Sequence, residues 1–147
     1  MNILIYLIVA LGGVMTSIQS GTNVQLAKSL DRSWMVGLFT GALTATVLAV
    51  VTLVSREGLP SSDRIAATPW WAWTGGLCGA VYVVSTLFFA QKLGSSVFTG
   101  LTVTAGIIAS IVMDHFGLVG FRQHTAGIGR ILVGVLMIGG LVMVSRF

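Results

Sequence analysis

Five long apolar runs alternate along the chain with short polar segments. The runs cover roughly residues 3–27, 34–54, 70–90, 96–116 and 126–144. A hydrocarbon core of about 30 Å needs about 20 apolar residues in a helix, and each run is close to that length. Lipid offers backbone groups no hydrogen-bond partner, so a spanning run must be helical. The pattern predicts an all-α integral membrane protein, a bundle of five transmembrane helices in a single domain over residues 1–147.

The composition provides too few charged residues for a large water-exposed surface. Hydrophobic residues make up 55% of the sequence and charged residues only 8%, whereas a soluble domain has about 25% charged residues. The one sizeable polar segment, residues 55–69, holds both prolines. Residues 1–20 lack a basic start and a cleavage site, which favours a retained first helix over a signal peptide. We therefore expect a multi-pass protein of the cell membrane, with the bilayer as its main partner.

Several function classes are disfavoured by the distribution of the remaining residues. The formal charge is +4, but the basic residues are spread one or two per loop without a nucleic-acid-binding patch. Cys78 is the one cysteine, so no intrachain disulfide forms, and His115 and His124 lack clustered ligands for a metal. Residues 127–134 are glycine-rich but follow no strand, so they are not a nucleotide fingerprint. We expect no enzyme, no cofactor, no metal and no nucleic acid.

Glycines recur at helical spacing inside the apolar runs. Gly37 and Gly41 lie four apart in the second run, and Gly75 and Gly79 do so in the third. Small residues at this spacing let helix backbones approach closely, so the pattern predicts a tightly packed bundle.

Three tryptophans stand at the start of the third run, at positions 70, 71 and 73. Aromatic belts at the membrane interface are the ordinary use of such residues, and an interfacial anchor is the prediction. A tryptophan-lined substrate site is the alternative.

Positive charges are balanced across the predicted membrane. Four fall on the side of the N-terminus and four on the other, namely Arg56, Arg64, Arg122 and Arg130 against Lys28, Arg32, Lys92 and Arg146. An excess of Lys and Arg on the cytoplasmic side normally sets orientation, so this chain has little reason to choose one. We expect insertion in both orientations and pairing as an antiparallel homodimer with inverted two-fold symmetry, which would place a site near the midplane. A fixed topology set by loop details is the alternative.

Several motifs carry a family resemblance. They are Gln19, Asn23 and Gln25 in the first run, PWWAWTGGLCGA at 69–80, KLGSSVFTGLTVTAG at 92–106, and MDHFGL at 113–118, followed by Arg130 and Gly134. With them the chain resembles, over nearly its whole length, the YdcZ-like group of five-helix members of the drug/metabolite transporter superfamily. That group often has Gln after the glycine of its fourth helix, where this chain has Ile107 after Gly106. The resemblance implies a transporter fold with inverted halves and no particular substrate.

Neutral polar residues on three predicted helices are the candidate substrate ligands. They are Thr16, Gln19 and Asn23 on one face of the first helix, Tyr82 and Ser85 on the third, and Thr99 and Thr102 on the fourth. Polar side chains at membrane depth face a partner helix or a water-filled cavity. Interhelical hydrogen bonding, worth about 0.6 kcal/mol per contact, is the favoured explanation for the single hydroxyls. Two amides are costly to bury without polar partners. For Gln19 and Asn23, a role as substrate ligands and a role in interhelical hydrogen bonding are therefore equally favoured.

Asp114 is the one carboxylate within an apolar run, and the first helix has none. That disfavours proton-coupled export of cations of the small multidrug type, which relies on a carboxylate there. Arg130 lies at a similar depth on the next helix. A structural pair is the simpler prediction, and a gate opened by protonation of Asp114 is the alternative.

The leading functional prediction is a membrane transporter for a small solute, working as an antiparallel dimer with a neutral-polar central site. Two alternatives stay open: a small dual-topology ion channel, and a membrane assembly subunit that transports nothing.

Overall fold

The computed structural model describes residues 3–56 and 58–146. Within these ranges lie five helices long and apolar enough to cross a membrane, which are α1 (Ile3–Leu30), α2 (Ser33–Val54), α4 (Trp70–Leu93), α5 (Ser95–Phe116) and α6 (Ile128–Arg146). A short sixth helix, α3 (Ser62–Ala67), lies between α2 and α4. No strand occurs in the described ranges. The predicted all-α chain with five helices of spanning length is confirmed, while the antiparallel dimer stays a prediction.

Contacts along the chain separate it into two compact units, Met1–Gln91 and Lys92–Phe147. The first unit contains α1, α2, α3 and most of α4, and the second contains α5 and α6. The assignment of residues 1–147 to a single transmembrane domain stays a prediction.

Helix ends differ from the apolar runs because polar residues continue the helices. α1 runs to Leu30, three residues beyond its apolar run, and Ser29 donates its hydroxyl to the carbonyl of Gln25 at 3.0 Å inside that extension. Asp31, in the left-handed region with a φ of 50°, then ends the helix before α2 begins. Helix length in this connection therefore follows backbone hydrogen bonding and not apolarity.

Unit one is built around the approach of α2 to the end of α4. Val36 on α2 is fully buried, and a Cβ atom added to Gly37 would lie 3.4 Å from Leu87 Cδ1. The rings of Trp34 and Phe88 meet nearby, with centroids 5.2 Å apart. Of the glycines at four-residue spacing in this unit, Gly37 marks a close helix approach, whereas Gly41, Gly75 and Gly79 have nothing within 4 Å of an added Cβ.

The interior of α4 is not a uniform α-helix. It starts as a 3₁₀ turn at Trp70–Thr74, is α-helical over Gly75–Ser85 and widens into a π-helix over Thr86–Ala90. The hydroxyls of Ser85 and Thr86 donate to the carbonyls four residues before them, at 2.8 and 3.0 Å. Such bonds perturb a helix, and π turns are often found at functional sites. The π segment packs against α1.

Unit two is an antiparallel pair of helices. A Cβ atom added to Gly100 on α5 would lie 3.1 Å from Leu141 Cδ1 on α6, and one added to Gly134 on α6 would lie 3.9 Å from Ile108 Cγ1 on α5. Nearer the other end, Asp114 meets Arg130. Gly100 thus stands at a close contact between the two helices, as expected for a small residue in a membrane bundle.

Candidate functional site

A cavity of about 390 Å³ lies along α1 and α2 in unit one. Its polar lining consists of Gln19, Thr22, Asn23, Thr40 and Thr44, and its apolar lining of Met15, Ile18, Leu26, Phe39 and Leu43. Small-molecule sites typically have volumes of about 300–1,000 Å³ and combine apolar walls with a few polar groups. Among the described residues, none that lines this cavity has an ionisable side chain.

Asn23 is the most firmly held polar group of this cavity. Asn23 is only 7% exposed. Thr40 Oγ1 on α2 donates a 2.9 Å hydrogen bond to Asn23 Oδ1. Within the described ranges, nothing else hydrogen-bonds to the Asn23 amide. Its nitrogen therefore keeps donors that a ligand can use, since an amide has two N–H donors.

Gln19 lines the same cavity one turn earlier on α1, and its side chain is half-buried. No described residue hydrogen-bonds to its side-chain amide. Thr22 Oγ1 donates to the Gln19 carbonyl at 3.0 Å. Thr16, the third of the predicted ligands on α1, does not line the cavity, and its hydroxyl donates to the Gly13 carbonyl at 2.7 Å on an exposed part of α1.

Thr40 and Thr44 were not among the predicted ligands. They stand four apart on α2, and this spacing places them on one face of a helix. This four-residue spacing is the sequence signal that could have indicated a second polar wall of the cavity. The hydrogen bond between Thr40 and Asn23 shows that this face of α2 is directed toward α1.

The predicted ligands on α4 lie outside this cavity. Ser85 is half-buried and donates its hydroxyl to the Val81 carbonyl, and Tyr82 is about one-third exposed. Thr86, one residue further, is almost fully buried at the start of the π-helix.

Thr99 and Thr102 belong to unit two. Thr99 lines a separate, mostly apolar cavity of about 340 Å³ along α5 and α6. Thr102 Oγ1 lies within hydrogen-bond distance of the Phe98 and Thr99 carbonyls, at 3.1 and 3.0 Å, so its hydroxyl is used inside its own helix. A central site that combines these residues with Gln19 and Asn23 stays a prediction.

Asp114 and Arg130 form an ion pair in unit two. Arg130 Nη1 lies 3.1 Å from Asp114 Oδ2, and the side chains are 42% and 30% exposed, respectively. The pair lines a pocket of about 220 Å³ with Ile107, Ser110, Ile111 and Val133. Whether it serves as a structural link or as a gate stays a prediction.

The loop between α5 and α6 folds back onto the end of α5. Gly117, with a φ of 63°, ends α5 in the left-handed conformation that favours glycine. The backbone N–H of His124 then donates to the Asp114 carbonyl at 2.8 Å, and that of Ala126 donates to His115 Nδ1 at 3.1 Å. Gln123 Nε2 donates to the His115 carbonyl at 3.0 Å. His115 thus serves as an acceptor that holds the loop, a role the sequence pattern did not indicate.

Family comparison decides the class of protein. A family model described as "Putative inner membrane exporter, YdcZ" matches residues 4–143. The chain belongs to this family. The resemblance to the YdcZ-like group is confirmed, and the chain is a multi-pass membrane protein of a family described as exporters, which is not a known enzyme family. No curated protein and no solved structure matches it.

Proposed function

We propose that the protein moves a small, polar but uncharged solute across the membrane, and that the cavity along α1 and α2 is its binding site. Membership of an exporter family supports transport. The observation that carries the site is the nearly buried amide of Asn23, which Thr40 holds at 2.9 Å. The N–H donors of this amide have no hydrogen-bond partner among the described residues, so they are available to a ligand with acceptor oxygens or nitrogens.

The lining also sets the chemical class of that solute. Its polar groups are the amides of Gln19 and Asn23 and the hydroxyls of three threonines. Neutral groups of this kind match hydroxyl, carbonyl or amide functions, whereas an ion would enter without a counter-charge at a considerable desolvation cost. The apolar wall suits a solute with a hydrophobic body.

The working unit in this proposal is an antiparallel homodimer. Several apolar lining residues are widely exposed, including Met15, Phe39 and Leu43, so one copy leaves the cavity open at its side. A second copy of opposite orientation would close it and supply a matching cavity by symmetry. The equal count of basic residues on the two sides favours this arrangement.

Flux into liposomes containing the purified protein tests this function on a panel of neutral and charged solutes. We expect Gln19→Leu and Asn23→Leu to abolish uptake of the transported solute, while Gln25→Leu, an exposed amide of α1 outside the cavity, leaves it unchanged. Wild-type rates in both cavity variants would remove the cavity from the mechanism. Ion conductance far above transporter turnover would indicate the channel instead, and no flux of any solute would indicate an assembly subunit.

A further inference from the structure

The pocket beside the Asp114–Arg130 pair has a different chemistry from the cavity along α1 and α2. Its volume is about 220 Å³, below the range of about 300–1,000 Å³ usual for drug-sized ligands. Two opposite charges and the hydroxyl of Ser110 line it together with three aliphatic side chains. The pocket therefore suits a small group with charges of its own.

Both ions keep unused hydrogen-bonding capacity. The contact between Arg130 Nη1 and Asp114 Oδ2 is the only side-chain hydrogen bond that either makes within the described ranges. A guanidinium carries five N–H donors and a carboxylate about four acceptor sites. Ser110 also has no hydroxyl partner among the residues that the structure describes. The two charged side chains are 42% and 30% exposed, so their unused donors and acceptors are accessible to partners beyond the protein.

The position of the pair suggests where those partners come from. Asp114 stands two residues before the end of α5, and Arg130 two residues after the start of α6. Both are in a terminal turn of a spanning helix, the depth at which lipid headgroups meet the protein. The partial positive charge at the start of α6 adds to that of Arg130 for a group placed there.

We propose that this pocket binds a zwitterion that carries an ammonium together with a phosphate or carboxylate. The anionic group accepts hydrogen bonds from Arg130, and the ammonium donates to Asp114 and Ser110. A ligand with a single charge would satisfy one member of the pair and be repelled by the other. The same chemistry occurs in the headgroup of phosphatidylethanolamine and in soluble phosphoethanolamine compounds or amino acids.

Lipid binding to the full-length protein, measured by native mass spectrometry and by the melting temperature in detergent, tests this proposal. The probes are phosphatidylethanolamine, its N-methyl and N,N-dimethyl derivatives, phosphatidylcholine and phosphatidylglycerol, all with the same acyl chains. We expect binding to weaken stepwise as methyl groups replace the ammonium donors, to about a tenth or less for phosphatidylcholine, which has no N–H to donate to Asp114 or Ser110. Equal binding across the series, or tightest binding of phosphatidylglycerol, would overturn the proposal.

Substitutions locate the site. Asp114→Asn and Arg130→Gln should abolish the preference for phosphatidylethanolamine, and Ser110→Ala, which leaves the ion pair intact, should reduce it. Arg122→Gln is the matched control, because Arg122 is exposed on the loop and does not line the pocket. A preference for phosphatidylethanolamine that survives both charge substitutions would show that the lipid does not bind beside Asp114 and Arg130. The comparison of lipids on the wild-type protein needs no variant, so it still tests the proposal if one variant misfolds.

Competition distinguishes the two sources. Soluble glycerophosphoethanolamine that displaces the lipid would identify a site open to free zwitterions, whereas lipid binding that resists it would identify a headgroup site. Either result supports the zwitterion chemistry. Neither result of this competition experiment depends on the cavity along α1 and α2. Transport can therefore fail in the Gln19 and Asn23 variants while zwitterion binding beside Asp114 and Arg130 remains intact.

Discussion

Thr40 Oγ1 donates a 2.9 Å hydrogen bond to Asn23 Oδ1, and this bond joins α2 to α1 at the wall of the cavity along these two helices. It is a side-chain link between two helices at membrane depth. The same contact therefore contributes both to helix packing and to the orientation of the amide toward the cavity.

Removing the Thr40 hydroxyl should reduce both the helix packing and the orientation of the Asn23 amide. We expect Thr40→Val to lower the free energy of unfolding by about 0.6 to 1.7 kcal/mol, the range of interhelical hydrogen bonds in membranes, and to reduce transport because the Asn23 amide loses its fixed orientation. Thr46→Val is the control, since the Thr46 hydroxyl donates to the Ala42 carbonyl of its own helix and bonds to no other described residue. Chemical unfolding in mixed micelles measures the difference. An equal effect of both substitutions would show that the link to Asn23 contributes nothing specific.

Features that depend on a single segment could be predicted from the sequence, whereas features that depend on which segments meet in three dimensions could not. The five helices were predictable because spanning length and apolarity are properties of single segments. Asn23 was predictable as an amide in need of partners. Thr40 was not recognised because nothing in the sequence states which helices are neighbours. The π segment Thr86–Ala90 has no sequence pattern of its own, and the role of His115 depends on how the loop folds back in three dimensions.

The Asp114–Arg130 pair can be assigned by a double-mutant cycle. If it is structural, Asp114→Asn should lower stability by about 1 kcal/mol, a modest value because both side chains are partly exposed. The double change with Arg130→Gln should recover much of that loss. If it is a gate, Asp114→Asn should keep the stability and remove the pH dependence of flux. Melting temperatures and a flux-versus-pH curve together separate the cases, and no change in either would exclude both the structural and the gating role.

His115 should hold the loop between α5 and α6 in place through its ring nitrogen. Its Nδ1 accepts the Ala126 N–H, so His115→Phe should raise hydrogen exchange at residues 121–126 severalfold, because that N–H loses its partner. His124→Phe is the comparison: of the described residues, His124 Nδ1 contacts the Arg122 carbonyl alone, and the His124 backbone N–H keeps its bond to the Asp114 carbonyl after substitution. Hydrogen–deuterium exchange mass spectrometry provides the readout. Comparable protection in wild type and His115→Phe would show that the bond does not hold the loop.

Orientation is the most general prediction, because the antiparallel dimer depends on it. Leu59→Lys with Ser61→Lys raises the basic count on one side from four to six, and Leu59 is 98% exposed, so packing should not suffer. Ser29→Lys with Ser95→Lys does the same for the opposite side. Each pair should lock one orientation, since the cytoplasmic side keeps the larger number of Lys and Arg residues. Cysteine labelling from both sides of the membrane measures this directly.

Activity then reports on the dimer. Either locked variant alone should lose transport, because every copy points the same way, and co-expression of the two should restore it by supplying both orientations. Leu59→Gln with Ser61→Gln controls for the substitutions themselves, since it alters the same positions without adding charge. Full transport by one locked variant alone would contradict the antiparallel dimer and favour a parallel assembly or a working monomer. Restoration only on co-expression would be hard to explain otherwise, because neither variant alters a residue that lines the cavity along α1 and α2.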